Sequence, residues 1–120
     1  METSAKYVTL IYDLLKRMKI AMGDEAIDIA KKLGDIEFSW SDDPVGIKTD
    51  GFVVIQRLMD SYRRVLGTFA NKVASDAIEK SLVEYPELDV PKDIVPAKVK
   101  MIRYSILKEK LKSAAKEVGL

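Results

Sequence analysis

Apolar side chains recur along this chain at intervals of three and four residues, the spacing that places them on one face of an α-helix. Four segments within the first 84 residues have this pattern. Gly23 separates the first two segments and Gly67 separates the last two, and glycine favours the end of a helix. The pattern therefore predicts four helices, each with a capping residue at its start. They run from Ser4 to Gly23, Asp24 to Gly34, Asp50 to Gly67 and Thr68 to about Leu82.

The apolar face of each predicted helix identifies the expected core. Alanines on these faces allow helix axes to approach each other closely. The tyrosines at positions 7, 12, 62 and 104 are interpreted as core residues rather than as part of a ligand site. The other inward positions are Leu10, Ile11, Leu14, Leu15, Met18, Met22, Ala26, Ile29, Ala30, Leu33, Val54, Ile55, Leu58, Met59, Leu66, Ala70, Val73, Ala74, Ala77, Ile78 and Leu82.

A fifth helix is predicted after a proline-rich segment. Residues 84–96 read EYPELDVPKDIVP, and proline inside a helix removes a backbone donor and clashes with the preceding turn. Pro96 nevertheless suits the first position of a helix. The sequence therefore predicts a C-terminal closing helix over about 96–118.

The two halves of the chain resemble each other. A shift of 44 positions aligns identical small residues: Gly23 with Gly67, Ala26 with Ala70 and Ala30 with Ala74. A shift of 47 positions aligns the connectors: Glu37 with Glu84, Phe38 with Tyr85, Asp42 with Asp89, Pro44 with Pro91 and Ile47 with Ile94. Amphipathic spacing alone does not account for these matches. We interpret them as a duplicated helical hairpin.

This duplication leads to a prediction for the whole fold. Each two-helix unit is too small to bury its own apolar face, so the two units should stack, with the last helix covering the open side. We predict an all-α single domain over residues 1–120, a five-helix bundle or short helical array. Its pseudo-repeated hairpins span about 7–47 and 51–94, and the closing helix follows.

The first connector, residues 37–51, reads EFSWSDDPVGIKTDG and raises the question of a metal site. A calcium-binding EF-hand loop needs a glycine at its sixth position and a glutamate at its twelfth. A loop starting at Asp42 or Asp43 supplies neither residue. The acidic residues are better interpreted as turn formers and a helix cap. Alternation of apolar and polar residues in IEFSW, followed by VGIK, also allows a short β-hairpin here.

Trp40 is the most informative residue of this connector. The second unit has Glu87 at the aligned position, so the shared fold does not require an aromatic ring there. Trp40 is interpreted either as a lid over the helix ends or as an anchor for a partner, because tryptophan is enriched in interface hot spots. We assign Trp40, with the connector aromatics Phe38 and Tyr85, to a candidate protein interface.

The amino-acid composition excludes several types of catalytic and metal-binding site. The chain has no cysteine and no histidine, which excludes a thiolate nucleophile and the commonest general base and metal ligands. No catalytic, metal-binding or cofactor-binding residue is assigned, and no cofactor is expected. An enzyme built on this sequence would have to use carboxylate or lysine chemistry, and this remains one alternative.

Positive charge is concentrated at the C-terminus. Residues 97–120 contain seven Lys or Arg and two Glu, which leaves the rest of the chain acidic. On the predicted helix, Lys98, Lys108, Lys112 and Lys116 lie opposite the apolar face. They are candidates for anion or nucleic-acid contacts, although aromatic interleaving is missing. The other interpretation is the solvated back of a core helix.

Location and function follow by elimination. No apolar run approaches the roughly 20 residues that span a bilayer, so we expect a cytoplasmic protein that does not interact with membranes. The Lys-, Glu- and Ile-rich composition is thermophile-like. We predict a non-catalytic interaction or regulatory module that forms a homodimer and binds an unidentified protein partner. Nucleic-acid binding through the C-terminal helix and an enzyme are the alternatives.

Overall fold

Four α-helices carry most of the fold in the computed structural model, which describes residues 2–100. A two-stranded antiparallel hairpin lies between the second and third helices, and a short 3₁₀ helix follows the fourth. The protein is therefore mostly helical, with a small two-stranded hairpin beside the helices. The elements are α1 (Thr3–Met22), α2 (Glu25–Leu33), β1 (Ile36–Phe38), β2 (Pro44–Ile47), α3 (Gly51–Leu66), α4 (Phe69–Glu84) and the 3₁₀ helix Lys92–Ile94.

The predicted closing helix is described only at its start. Residues 97–100 are helical, and the backbone N–H of Lys100 donates to the carbonyl of Pro96 at 3.2 Å. Val99 is fully buried, so this first turn already contributes to the core. Residues 101–118 of the predicted helix, which include Tyr104, lie outside the described residues.

The helices end where the sequence predicts, but only one of the predicted capping residues forms a capping hydrogen bond. Asp50 caps α3 as predicted, because its carboxylate accepts from the backbone N–H of Phe52 at 2.8 Å. Asp24 and Thr68 precede α2 and α4 but make no capping bond. Their backbones are already helical, whereas a capping residue normally needs an extended backbone. Ser4 lies inside α1, since the extended residue before that helix is Glu2.

The two joints between paired helices have nearly the same geometry. Gly23 has φ 74° and ψ −158°, and Gly67 has φ 61° and ψ −146°. Each glycine N–H donates at 2.8 Å to the carbonyl four residues earlier, in Lys19 or Arg63. Positive φ strains any residue that has a Cβ atom, which explains why both turns use glycine.

Each helix of one pair packs against a helix of the other pair, α1 against α4 and α2 against α3. Lys80 and Asp13 approach to 3.5 Å, and Arg17 and Asp76 approach to 3.4 Å, so α1 and α4 run antiparallel. The second and third helices also run antiparallel. Arg57 of α3 forms an ion pair with Asp35, just beyond the end of α2, and the Tyr62 hydroxyl of α3 donates to the carbonyl of Ala26 at the start of α2. Each helix of one pair thus contacts a helix of the other pair.

The core contains most of the predicted inward residues. The four alanines at positions 26, 30, 70 and 74 are all buried, which lets the helices approach as the sequence predicts. The prediction that Tyr12 belongs to the core is wrong, because its side chain is 45% exposed. Buried residues of α1 fall at 7, 10, 11, 14, 15 and 18, and Tyr12 lies on the flank of that stripe.

The two connectors differ. In the first, β1 and β2 pair with Ile36 opposite Ile47 and Glu37 opposite Gly46, which confirms the hairpin suggested by the alternating pattern. In the second, the only regular structure is the 3₁₀ helix, because its prolines lack the N–H groups that a strand ladder requires. Arg63 holds this segment against α3 by a 3.1 Å contact to Asp93.

Candidate functional site

Trp40 lies at the tip of the hairpin, and its side chain is 98% exposed. This exposure contradicts the interpretation of Trp40 as a lid over helix ends, since a lid would be covered on one face. An indole ring in water exposes more apolar surface than almost any other side chain. Its display at the end of a hairpin is the most unusual feature among residues 2–100.

The turn that carries Trp40 is extensively hydrogen-bonded. The N–H of Ser39 donates to the carbonyl of Asp43 at 2.8 Å, and the N–H of Asp42 donates to the carbonyl of Ser39 at 3.0 Å. The Ser39 hydroxyl also accepts from the N–H of Asp43 at 3.2 Å. Asp42 has φ 64°, a conformation that aspartate tolerates better than most residues. The indole is therefore held on a defined loop.

The acidic residues of this loop act as turn formers, as the sequence predicts. The Asp43 carboxylate accepts from the Ser41 hydroxyl at 3.2 Å, and the Asp42 carboxylate forms an ion pair with Lys31 of α2. In the part of the chain that the structure describes, no group of three or more acidic residues has an arrangement that suits a metal ion.

A cleft of about 430 Å³ opens beside the hairpin tip. Its walls come from α1, α2 and the loop Ser41–Pro44, and its apolar lining consists of Tyr12, Leu15, Ile27 and Pro44. Both signs of charge surround this lining. The charged residues are Lys16, Lys19, Asp24, Asp28, Asp42 and Asp43.

No local sequence pattern predicts this cleft. Tyr12 lines it, and the position of Tyr12 between the buried face and the solvent face of α1 was the only available signal. The cleft exists because β2 packs against α1, and that long-range contact is not encoded in any local pattern.

Phe38 and Tyr85 occupy different positions from Trp40. Both rings are half-buried and pack against the core. The ammonium group of Lys31 lies 5.9 Å from the Phe38 ring centre, and that of Lys6 lies 5.3 Å from the Tyr85 ring centre. Each ring is therefore already engaged by its own chain, and Tyr85 belongs to the second connector rather than to the hairpin.

The second connector is positioned by the first turns of α1. Lys6 forms an ion pair with Glu87, and this hydrogen bond holds the pKa of the Glu87 carboxyl below its ordinary value. A side-chain hydrogen bond with Glu84 raises the pKa of the Tyr85 phenol. These are exposed contacts at the surface of the fold, and they give the connector a fixed course rather than a reactive group.

The candidate nucleic-acid contacts are described only in part. Lys98 is exposed, but its ammonium group lies 3.1 Å from a carboxylate oxygen of Glu79 on α4. Its charge is therefore partly compensated within the chain. Lys108, Lys112 and Lys116 lie outside the described residues.

Comparison with known protein families, curated proteins and solved structures finds no match. Within residues 2–100, no helix combines the length and the apolar character that crossing a membrane requires. A functional proposal for this protein therefore depends on the surface formed by Trp40 and the neighbouring cleft, which we call the tip surface.

Proposed function

We propose that this protein is a non-catalytic interaction module that acts through protein–protein contacts and self-associates as a dimer. The observation that carries the proposal is the 98% exposure of Trp40 on a hydrogen-bonded turn. A tryptophan side chain can bury about 200 Å², and at about 25 cal/mol per Å² this corresponds to about 5 kcal/mol before the cost of association.

The proposal includes a duplicated origin for the fold, with residues 96–118 as the closing helix. Three observations support the duplication. The two glycine joints have similar geometry, each helix of one pair packs against a helix of the other, and two ion pairs lie at nearly equivalent positions of the two units. Asp13 of α1 pairs with Lys80 of α4, and Arg57 of α3 pairs with Asp35, which follows α2. The shifts between these positions are 44 and 45 residues.

The duplication makes Trp40 more informative. If both units share one ancestor, then features found in only one unit are not required by the shared fold. The hairpin and Trp40 belong to the first unit alone, whereas the second connector has Glu87 and no strands. Because tryptophan is enriched in interface hot spots, a tryptophan that the fold neither buries nor requires is a candidate anchor for another molecule.

The two alternatives have less support. An enzyme that uses carboxylates would need them buried near one another, but the side chains of Asp24 and Asp42 in the cleft are 89% and 54% exposed. Of the four lysines predicted to contact nucleic acid, only Lys98 lies within the described residues, and it is paired with Glu79. Neither alternative accounts for the display of Trp40.

Sedimentation equilibrium tests the proposal. The mass of the wild type should rise with concentration from 13.5 kDa towards twice that value, and Trp40→Ala should remain near 13.5 kDa over the same range. Ile20→Ala is the matched control, because Ile20 is also a large exposed apolar residue, 82% accessible, but lies on α1 outside the tip surface. A wild type that stays monomeric up to about 1 mM has less than about 4 kcal/mol of association energy, and self-association would then be wrong.

A further inference from the structure

We propose that Asp50 is a site of spontaneous isomerisation that the folded start of α3 keeps unreactive. The reaction converts the bond between Asp50 and Gly51 into an isoaspartyl linkage, in which the backbone passes through the side-chain carboxyl carbon. Opening of this end of α3 would release the reaction. Neither Trp40 nor self-association is involved, so this site can be tested apart from the proposed function.

Asp50 is the only aspartate of the chain that is followed by glycine. The isomerisation begins when the backbone nitrogen of the next residue attacks the side-chain carboxyl carbon of the aspartate. A side chain on that next residue hinders the attack, and glycine has none. Asp60, for comparison, precedes Ser61, whose Cβ atom adds this hindrance.

The chemistry needs only water. The backbone nitrogen of Gly51 loses its proton and forms a bond to Cγ of the neutral Asp50 carboxyl group, whose hydroxyl group takes up a proton and leaves as water. The product is a five-membered succinimide. A water molecule then adds to the main-chain carbonyl carbon of Asp50, and the bond from this carbon to the nitrogen breaks. The chain now continues through Cγ, with one more methylene in the backbone and the same total mass.

The fold requires both residues of this reactive pair. Asp50 caps α3 through its carboxylate, which accepts from the backbone N–H of Phe52 at 2.8 Å. Gly51 is buried against the ring of Tyr7, and a Cβ atom at this position would overlap the ring carbons. Capping and packing therefore place a reactive aspartate directly before an unhindered nitrogen.

The folded backbone keeps this pair away from the geometry that ring closure needs. The five-membered ring forms only when the Gly51 nitrogen eclipses Cβ about the Cα–C bond of Asp50. At the observed ψ of 131°, this nitrogen is turned well away from Cβ. Rotation about the same bond would also turn the Asp50 carbonyl, which accepts from the backbone N–H of Val54 at 3.1 Å. Ring closure therefore requires that the first turn of α3 opens.

Tyr7 stabilises the closed form of this helix start. Its ring lies against Gly51, and its hydroxyl is bonded to the backbone of Asp89. Segments of a protein open locally at a lower free energy than the whole chain unfolds. Loss of the Tyr7 contacts should therefore raise the rate of isomerisation even in a chain that remains folded.

Peptide mapping measures the reaction at this one residue. Trypsin cleavage after Lys48 and Arg57 releases residues 49–57, TDGFVVIQR, in which Asp50 is the only aspartate. The isoaspartyl form has the same mass and is separated by chromatography. Incubation is at neutral pH, below the thermal midpoint for the folded chain and in guanidinium chloride for the unfolded chain. The folded wild type should react at least about 10-fold more slowly, which corresponds to an opening free energy of at least about 1.4 kcal/mol.

Three variants identify the contacts that suppress the reaction. Asp50→Ser keeps a capping oxygen and should give no second form of the peptide. Tyr7→Leu should react faster than the folded wild type, because the ring contact and the bonds to Asp89 are lost. Tyr62→Phe is the matched control, since it loses a buried hydrogen bond to Ala26 far from the start of α3 and should react at the wild-type rate. If circular dichroism shows that Tyr7→Leu is unfolded, Tyr7→Phe replaces it, because this variant keeps the ring and loses only the hydroxyl.

Three results would overturn the proposal. Equal rates in the folded and the unfolded wild type would mean that the start of α3 does not protect Asp50. An unfolded chain in which Asp50 reacts no faster than Asp60 would mean that Asp50 is not the susceptible residue. Equal acceleration by Tyr7→Leu and Tyr62→Phe would mean that the reaction follows global unfolding rather than opening at the start of α3.

Discussion

The Tyr7 hydroxyl forms hydrogen bonds with both the carbonyl and the N–H group of Asp89. It donates to the carbonyl of Asp89 at 2.5 Å and accepts from the N–H of the same residue at 3.1 Å. The ring of Tyr7 also lies directly against Gly51 at the start of α3. One side chain of α1 therefore connects the second connector and the third helix to the first helix.

Gly51→Ala should destabilise the protein, although alanine is the better helix former by about 1 kcal/mol. A Cβ atom at this position would overlap the Tyr7 ring, which is held by its bonds to Asp89. We expect a net loss of about 1–3 kcal/mol in the free energy of unfolding, the range for overpacked sites. Urea denaturation monitored by circular dichroism measures it.

The matched control for this substitution is a double-mutant cycle with Tyr7→Leu. Leucine has no ring at the contact, so Gly51→Ala should cost much less in that background. An equal cost in both backgrounds would mean that the contact with Tyr7 does not determine the effect.

The packing of Tyr62 predicts sensitivity to high pH. Its hydroxyl donates to the carbonyl of Ala26 at 2.8 Å, and burial raises the pKa of this phenol well above its ordinary value. Burial also raises the pKa of Tyr7. The unfolded chain therefore loses these protons first, near pH 10. Their stabilising contribution is complete below that pH and is lost as the pH rises towards the folded-state pKa values.

The free energy of unfolding of the wild type should thus fall steeply above about pH 10. Tyr62→Phe should cost about 1–2 kcal/mol at neutral pH, because the Ala26 carbonyl loses a buried donor. The same variant should show a shallower decline at high pH. A pH dependence identical to that of the wild type would indicate that Tyr62 is not the responsible group.

The proposed duplication of the helical hairpin makes a quantitative prediction about the two joints. Gly23 and Gly67 have similar positive φ angles, and a Cβ atom would meet no other atom within 4 Å at either site. Gly23→Ala and Gly67→Ala should therefore lower the free energy of unfolding by similar amounts, about 1–2 kcal/mol, through backbone strain alone. Thermal denaturation of the two variants tests this. Costs that differ by more than about 1 kcal/mol would contradict equivalent joints.

Local sequence signals predicted the helices well because their physical causes are local. Apolar spacing located all four long helices, and Gly23 and Gly67 marked their joints. Capping was less predictable, since it depends on the backbone angles of one residue. Asp50 has the extended conformation that a cap needs, whereas Asp24 and Thr68 do not.

The site was predictable only in part. The mismatch between Trp40 and Glu87 identified a residue that the proposed duplication does not require, and the structure shows that residue almost fully exposed. The cleft beside it depends on β2 packing against α1, two elements distant in the sequence. Phe38 and Tyr85 were grouped with Trp40 because all three are connector aromatics, but the structure packs the other two against the core.

Nucleic-acid binding can be tested independently of the dimer. If the C-terminal lysines contact phosphates, affinity should fall steeply with salt, and replacing Lys108, Lys112 and Lys116 by Glu should abolish a gel shift. We expect no salt-dependent shift with the wild type. Lys98→Glu is an unsuitable probe, since it would also place two acidic residues together at Glu79. A gel shift that the triple substitution abolishes would support nucleic-acid binding by the C-terminal lysines.

Trp40→Ala should separate folding from association. The indole makes almost no contact that stabilises its own chain, because it is 98% exposed. The free energy of unfolding of the monomer should therefore change by less than about 0.5 kcal/mol, the usual range for surface substitutions. Denaturation at a concentration well below the dimerisation midpoint measures this value for the variant and the wild type. A larger loss would show that Trp40 supports the fold itself, and its exposure would then no longer argue for a contact with another molecule.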